Sequence, residues 1–363
     1  MAATARRACA TCCRRRSRAC ASRRRRTSAR SPCSSARRPR TTSPASRSPS
    51  TAAGRRNRRV PPPPPRPGAR RMAAERRFHF ISGLPRSGST LTAALLRQNP
   101  RFHAGMSSPV ASLFEGLIGQ VSAGSELSTM VDAEQRARLL RGLFDSYYAD
   151  RPEPVIFDTN RAWCAQLPAL MRLFPEAKLV CLVRDVAWVM DSLERQFRAN
   201  AFEHTRLFNN PAERATVYTR VEALAGSNRL VGFPWHALRE ACWSEFADRL
   251  VIVDYDLLTA RAPDVFRLLY DFLGEAPFDH DFEAVAYDAP EFDAQLGLEG
   301  LHRVRPKVEA RPRETVLPPD LFERYGKLAF WRDLKSSRAF RIVEEAKGAQ
   351  EAAMPEGGPP LGG

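Results

Sequence analysis

Between residues 78 and 97 the chain reads as a short apolar run, Phe78 to Ile81, then a turn crowded with Gly, Pro and Ser, then a helical stretch from Ser89 through Leu91, Leu95 and Leu96 to Arg97. A strand that turns this tightly into a helix brings backbone N–H groups and the positive end of the helix to one point, which makes an anion site. A plain glycine connection between the two elements is the alternative, but it has no need of Pro85, Arg86, Ser87, Ser89 and Thr90 gathered in one turn.

The rest of the chain continues the alternation. Val155 to Phe157 reads as a strand, Cys164 to Phe174 as an amphipathic helix, and Leu179 to Val183 as five apolar residues suited to a strand buried on both faces. Val186 to Arg198 and Trp235 to Arg249 read as helices, Leu250 to Val253 as a strand, and Pro263 to Leu273 as the helix after it. Strands separated by helices imply an α/β chain: a P-loop-like three-layer fold with a parallel sheet flanked by helices. Asn99-Pro100 ends the first helix, because the residue before a proline is pushed out of the helical region. From there to Asp150 the pattern is helical and partly loop, and the polar segment Ala199 to Phe233 reads as a helical insertion or lid over the substrate.

A formal charge of +17 over 363 residues is the mark of a nucleic-acid binder only if the fold carries it. Residues 1–71 hold 22 of the 57 Lys and Arg and no Asp or Glu, leaving 35 basic and 40 acidic residues, a net charge of −5, for the remainder. That basic stretch has no periodic apolar face and reads as a disordered extension. Met72 is followed at once by Ala-Ala-Glu-Arg-Arg and the first strand, so residues 1–71 are read as the product of a start assigned too far upstream. A genuine disordered extension, a transit peptide and a nucleic-acid-binding arm are the alternatives. The folded domain is expected over 72–345, with a flexible tail at 346–363. Cys12 and Cys13 have neither a nearby His nor a second pair to complete a zinc site. Cys164, Cys181 and Cys242 sit singly in apolar or helical patterns, as buried inert thiols do. No apolar run approaches the ~18 residues of a spanning helix. A cytoplasmic location, no membrane contact and no nucleic-acid partner for the folded domain are expected; oligomeric state is not legible.

Gly83-Leu-Pro-Arg-Ser-Gly-Ser-Thr90 has the Walker A spacing, except that Ser89 stands where the lysine belongs. A triphosphatase uses that lysine, with Mg²⁺, to neutralise its β- and γ-phosphates. Here Arg86 is the loop's only side-chain cation, and Asp254, after Val253, reads as an ordinary strand-end residue. A sulfuryl group carries one fewer negative charge than a phosphoryl group, so one guanidinium, hydroxyls and backbone amides suffice for its transfer without a metal. Arg184 stands at the carboxyl end of the buried strand, where open α/β sheets bind ligands. Ser192 follows eight residues later, a little over two helical turns, and so returns to about the same helix face. Both could reach one phosphate; taken alone, a surface ion-pair arginine and a commonplace helical serine read equally well.

In these two motifs and their order the chain resembles the sulfotransferases that use 3′-phosphoadenosine 5′-phosphosulfate (PAPS). Gly83 to Thr90 is similar to their 5′-phosphosulfate loop, and Arg184 with Ser192 to their 3′-phosphate pair. The likeness covers most of Phe78 to about Trp331, includes Leu173-Phe-Pro-Glu-Ala-Lys-Leu179, and is strongest to the bacterial branch related to tyrosylprotein sulfotransferases. The resemblance implies that Arg86 binds the 5′-phosphosulfate and stabilises its developing charge, that Ser87, Gly88, Ser89 and Thr90 cradle it, and that Arg184 and Ser192 hold the 3′-phosphate. Gly300-Leu-His-Arg-Val-Arg-Pro-Lys307 is also similar to that branch; Arg305 and Lys307 are candidates to close over the nucleotide, with a solvated charged loop as the alternative.

The catalytic base does not carry over. Where the tyrosylprotein branch has a pair of glutamates this chain has Met106-Ser107-Ser108, and Thr159 replaces its lysine in Asp158-Thr-Asn-Arg161. Glu115 and His103 are the substitutes, against solvent-facing and structural roles. Asp158 either faces the cleft or pairs with Arg161. The expected reaction moves a sulfuryl group from PAPS, as co-substrate and without a metal, to a hydroxyl or amine of unidentified class. A P-loop nucleotide kinase or NTPase, and a nucleic-acid-binding protein acting through the basic stretch, are the rival readings.

Overall fold

The computed structural model describes residues 76–202 and 205–344; the basic stretch 1–71, Met72 and the end after Ala346 lie outside them. Strands β1 (Arg77–Gly83), β2 (Phe102–Ala104), β3 (Val155–Thr159), β4 (Leu179–Val183), β5 (Leu250–Asp254) and β6 (Phe340–Ile342) form one sheet in the order β2-β3-β1-β4-β5-β6. Every neighbouring pair is parallel, with Ile81 opposite Thr159, Gly83 opposite Leu182 and Val183 opposite Asp254.

Parallel neighbours cannot be joined by hairpins, so each connection crosses a face of the sheet. Helix α1 (Ser89–Leu96) leads from β1 towards β2, α2 (Val110–Val121) and α3 (Ala133–Tyr147) lie between β2 and β3, and α4 (Leu167–Leu173) lies between β3 and β4. Between β4 and β5 come α5 (Val186–Ala199), α6 (Pro211–Arg214), α7 (Val217–Ala225) and α8 (Gly232–Trp243). After β5 come α9 (Tyr255–Ala260), α10 (Ala262–Leu273), α11 (Pro290–Leu296) and α12 (Pro319–Gly326).

Alternate strand residues supply two cores, one on each face. Phe78, Phe80, Leu179, Cys181 and Ile252 join Phe114, Phe144 and Trp163 on one side. Ile81, Phe157, Val180, Leu182, Val251 and Val253 pack on the other. A sheet covered on both faces requires continuous apolar runs rather than alternation, and all five residues of β4 and of β5 are buried. After β1 the chain runs out to the edge at β2 and returns inward to β3 beside β1, then crosses to the other side for β4. The carboxyl end of β1 is therefore the point where strand order reverses, the place at which open α/β sheets form a ligand crevice.

Some expected elements differ. The helix expected over Cys164 to Phe174 is two pieces. A 3₁₀ turn at Arg161–Cys164 is capped by the Asn160 side chain, which accepts from Ala162 N at 3.0 Å, and α4 starts only at Leu167 with a proline in its first turn. The helix expected over Trp235 to Arg249 begins at Gly232 and ends at Trp243, where the Ser244 hydroxyl turns back to the Ala241 carbonyl at 2.8 Å. Strands β2 and β6, of three residues each, were not anticipated; they lie at the two edges of the sheet.

Candidate functional site

The turn after β1 has a backbone that few residues could adopt. Gly83 has φ of 103°, and a Cβ there would lie 2.1 Å from the Leu182 carbonyl oxygen, so only glycine lets β1 end this close against β4. Gly88 is also left-handed, and a Cβ there would lie 2.7 Å from the Tyr255 ring. Arg86, with φ of 59°, is the only non-glycine residue among those described to take a positive φ. Ser87 is fully buried and donates its hydroxyl to the Leu84 carbonyl at 2.8 Å. Its side chain therefore braces the turn instead of facing a ligand, and only its backbone is left for cradling. Helix α1 starts at Ser89 with no side-chain cap, so its first-turn N–H groups are open to an anion.

The turn forms one wall of a cleft of about 890 Å³. Thr159, Asn160 and Arg161 after β3, Arg184 after β4, Trp188 and Ser192 on α5, and Tyr255 and Asp256 after β5 line it as well, and the segment from Phe292 to Arg313 closes it. Arg86 joins these walls: its Nε donates to Ser192 Oγ at 3.1 Å and its Nη1 donates to the Leu301 carbonyl. Arg184 is 3% exposed, stacked 4.6 Å over the Tyr255 ring, with its Nε 3.8 Å from Asp256 Oδ1. That separation exceeds a hydrogen bond, and the buried Nε has no hydrogen-bond partner among the described residues. A desolvated cation with an unspent donor suits an anionic ligand. Burial pulls both guanidiniums below their ordinary pKa, yet arginine stays protonated.

The structure brings Arg86, Gly88, Ser89, Thr90, Arg184, Ser192, Arg305 and Lys307 to this one cleft. Lys307 is engaged at the surface with Glu283 at 2.7 Å. It does not bring the two substitute bases there. Glu115 is exposed on α2, away from the cleft walls. His103, on edge strand β2, is not among the cleft-lining residues; it lines a smaller adjoining space of about 180 Å³ with Tyr147, Tyr148 and Arg151, which shares Ser107 and Thr159 with the cleft, and it packs edge-on against Tyr148 at 5.5 Å.

Asp158 neither faces the cleft nor pairs with Arg161. Its fully buried carboxylate accepts from Ser108 Oγ at 2.7 Å, Tyr148 OH at 2.6 Å and Trp163 Nε1 at 2.8 Å. Burial raises its pKa and these donors oppose the rise. Asp254 caps α9, accepting from Asp256 N at 2.9 Å. Among the described residues Cys164, Cys181 and Cys242 are buried and in no disulfide, and burial pushes Cys242 up to about 12.

Two features of the cleft were given no role by the motifs. The Trp188 ring has the Arg184 and Arg313 guanidiniums at 6.0 and 5.5 Å, a cation–π arrangement that needs α5 and a segment far along the chain. The other is a buried carboxylate and an imidazole. Asp293, fully buried on α11, has Oδ1 2.5 Å from His302 Nδ1, and its Oδ2 accepts from His302 N at 2.9 Å. His302 lines the cleft beside Arg86. Burial lowers the His302 pKa and the Asp293 hydrogen bond opposes this. A spacing of nine residues matches no helical or strand period, which is why the pair is invisible to pattern.

A model of the sulfotransferase family matches residues 79–280. No curated protein matches the chain. Among solved structures, the sulfotransferase domain of the Synechococcus PCC 7002 olefin synthase is 17% identical over 70% of this chain and 94% of its own, with a TM-score of 0.39. A sulfotransferase from Alicyclobacillus acidocaldarius is 18% identical over 61% of this chain and 90% of its own, with a TM-score of 0.37. Retinol dehydratase in complex with androsterone and inactive cofactor PAP is 17% identical over 72% and 81%, with a TM-score of 0.40. Among the described residues no helix is long and apolar enough to cross a membrane.

Proposed function

The chain belongs to the sulfotransferase family, and from that premise we propose that it transfers a sulfuryl group from PAPS to a hydroxyl or amine, leaving adenosine 3′,5′-bisphosphate. The observation that carries this reading is a pair of anion sites on adjacent strands. The uncapped α1 terminus with Arg86 follows β1, and the buried, partly unsatisfied Arg184 follows β4. A nucleotide with separate 5′ and 3′ anionic groups matches two separate sites; a contiguous triphosphate does not, and the loop has no lysine for one.

In this reading Arg86, Gly88, Ser89, Thr90 and the Ser87 backbone hold the 5′-phosphosulfate, Arg184 and Ser192 hold the 3′-phosphate, and Arg305 and Lys307 flank the nucleotide. When bound, PAPS supplies an activated sulfuryl group. Arg86, pinned by Ser192 and Leu301, is preorganised to meet charge that develops on the transferring oxygens. The catalytic domain spans 72–345, and acceptor choice belongs to the helical segments at 106–150 and 199–233. Three buried, unpaired thiols favour a reducing, cytoplasmic setting.

The test is calorimetric titration of the full chain with adenosine 3′,5′-bisphosphate and, separately, with ATP plus Mg²⁺. Preference for the bisphosphate is expected. Arg184→Ala should weaken it by about 10- to 100-fold, the worth of hydrogen bonds to a charged group. Preference for ATP with Mg²⁺, or indifference to Arg184, would sink the proposal.

A further inference from the structure

We propose that His302 is the catalytic base of this site and Asp293 its positioning residue. The inference rests on the sulfotransferase reading above and gives the role of base to a residue that lines the cleft, as Glu115 and His103 do not. Both oxygens of the Asp293 carboxylate are directed at His302, one at Nδ1 and one at the backbone N–H. A carboxylate can only accept, so Nδ1 carries the proton and Nε2 is left with a free lone pair. The imidazole is 17% exposed at the cleft wall, and among the described residues Nε2 has no hydrogen-bond partner.

Position distinguishes this group from every other base in the cleft. The carbonyl of Leu301, the preceding residue, accepts from Arg86 Nη1, so the imidazole is tethered one residue from the guanidinium assigned to the sulfuryl group. Asp256 lies beside Arg184 at the other anion site, and Glu309 is paired with Arg311. The charged groups that act on His302 are Asp293, Arg86 and Arg161, with the Phe292 ring edge-on at 5.4 Å. Burial and the two guanidiniums outweigh Asp293 and lower its pKa, so the ring is neutral near pH 7 and able to take a proton.

The acceptor oxygen forms the new O–S bond while its O–H proton passes to Nε2. The bond between sulfur and the 5′-phosphate oxygen breaks, and its electron pair leaves on the bisphosphate. Asp293 then faces the imidazolium that results, as a carboxylate does in a catalytic triad.

The experiment uses the full chain, His302→Gln and Asp293→Asn, with three readouts. Calorimetry with adenosine 3′,5′-bisphosphate comes first. If the wild type does not bind it, the donor reading fails and His302 is not at issue. Proton–nitrogen NMR of the imidazoles, with His302 assigned by its loss in the variant, should show Nδ1 protonated and Nε2 bare at pH 7.5. In Asp293→Asn the ring should lose that tautomer. PAPS turnover with water as the acceptor, followed as sulfate release, should fall by about 10²- to 10⁴-fold in His302→Gln, with bisphosphate affinity retained. Three results would overturn the assignment with donor binding intact: an Nε2–H tautomer in the wild type, undiminished turnover in His302→Gln, or no wild-type turnover at all, since a free imidazole beside the sulfuryl group would activate water. The NMR result stands whether or not His302→Gln is stable enough for kinetics.

Discussion

Asp158 and Asp293 are both shut off from solvent, and both lie within a few residues of the cleft, yet the two regions use a buried carboxylate in opposite ways. Around Asp158 the serine, tyrosine and indole donors all come from groups that are themselves buried, and the result is a closed network beneath the end of β3. Around Asp293 both oxygens serve one residue, whose far side opens onto the cleft. A fully satisfied buried network rigidifies a core, whereas a carboxylate spent on a single histidine controls which ring nitrogen is free. Burial of an acid is therefore no guide to function; the exposure of its partner is.

The largest expected effect breaks the comparison at its structural end. Asp158→Ala strands three buried donors and should cost about 3–5 kcal/mol of stability in urea unfolding, with turnover per folded molecule unchanged. A loss of turnover at full stability would make Asp158 a site residue after all. Asp293→Asn sharpens the other end. It should lower kcat by about 10²- to 10³-fold, roughly 2.7–4 kcal/mol, with the KM for PAPS held. A change confined to KM or to stability would remove Asp293 from its positioning role.

A smaller effect separates the regions by pH. Burial lowers His79 from 6.5 to about 3 and His280 from 6.5 to about 4, so both are neutral in the fold. Below 6.5 the unfolded chain binds protons that the folded one refuses, and stability falls with pH. The stability gap between wild type and His79→Gln should therefore narrow as pH drops from 6.5 towards 3, by up to about 1.4 kcal/mol per unit. The acid limb of turnover should stay the same in that variant, because it reports His302. A shifted acid limb in His79→Gln would couple the two regions.

Much of this molecule was legible from local chemistry. The five residues Leu179 to Val183 form β4 with the bounds that their unbroken apolar run implies, because a strand covered on both faces tolerates nothing else. The turn after β1 announced itself through Gly83 and Gly88, whose close contacts no other residue could make. Arg184, just past the carboxyl end of β4, and Ser192, in the second turn of α5, share a cleft as their separate positions in the sequence suggested. By contrast, β2 and β6 are too short to show a period, and only pairing with a neighbour makes them strands. Ser87 had the right identity for a ligand but turned inward to hold its own loop.

By itself the sequence determined the class of fold and the tight turn after β1, since both depend on neighbours along the chain: apolar periodicity, glycine freedom and the geometry of one strand-to-helix turn. Tertiary structure alone decided which acid is structural, which imidazole reaches the cleft, and that Arg86 is held against Leu301, 215 residues away. Those choices turn on desolvation and on hydrogen-bond partners from distant segments, and neither quantity exists until the chain has folded.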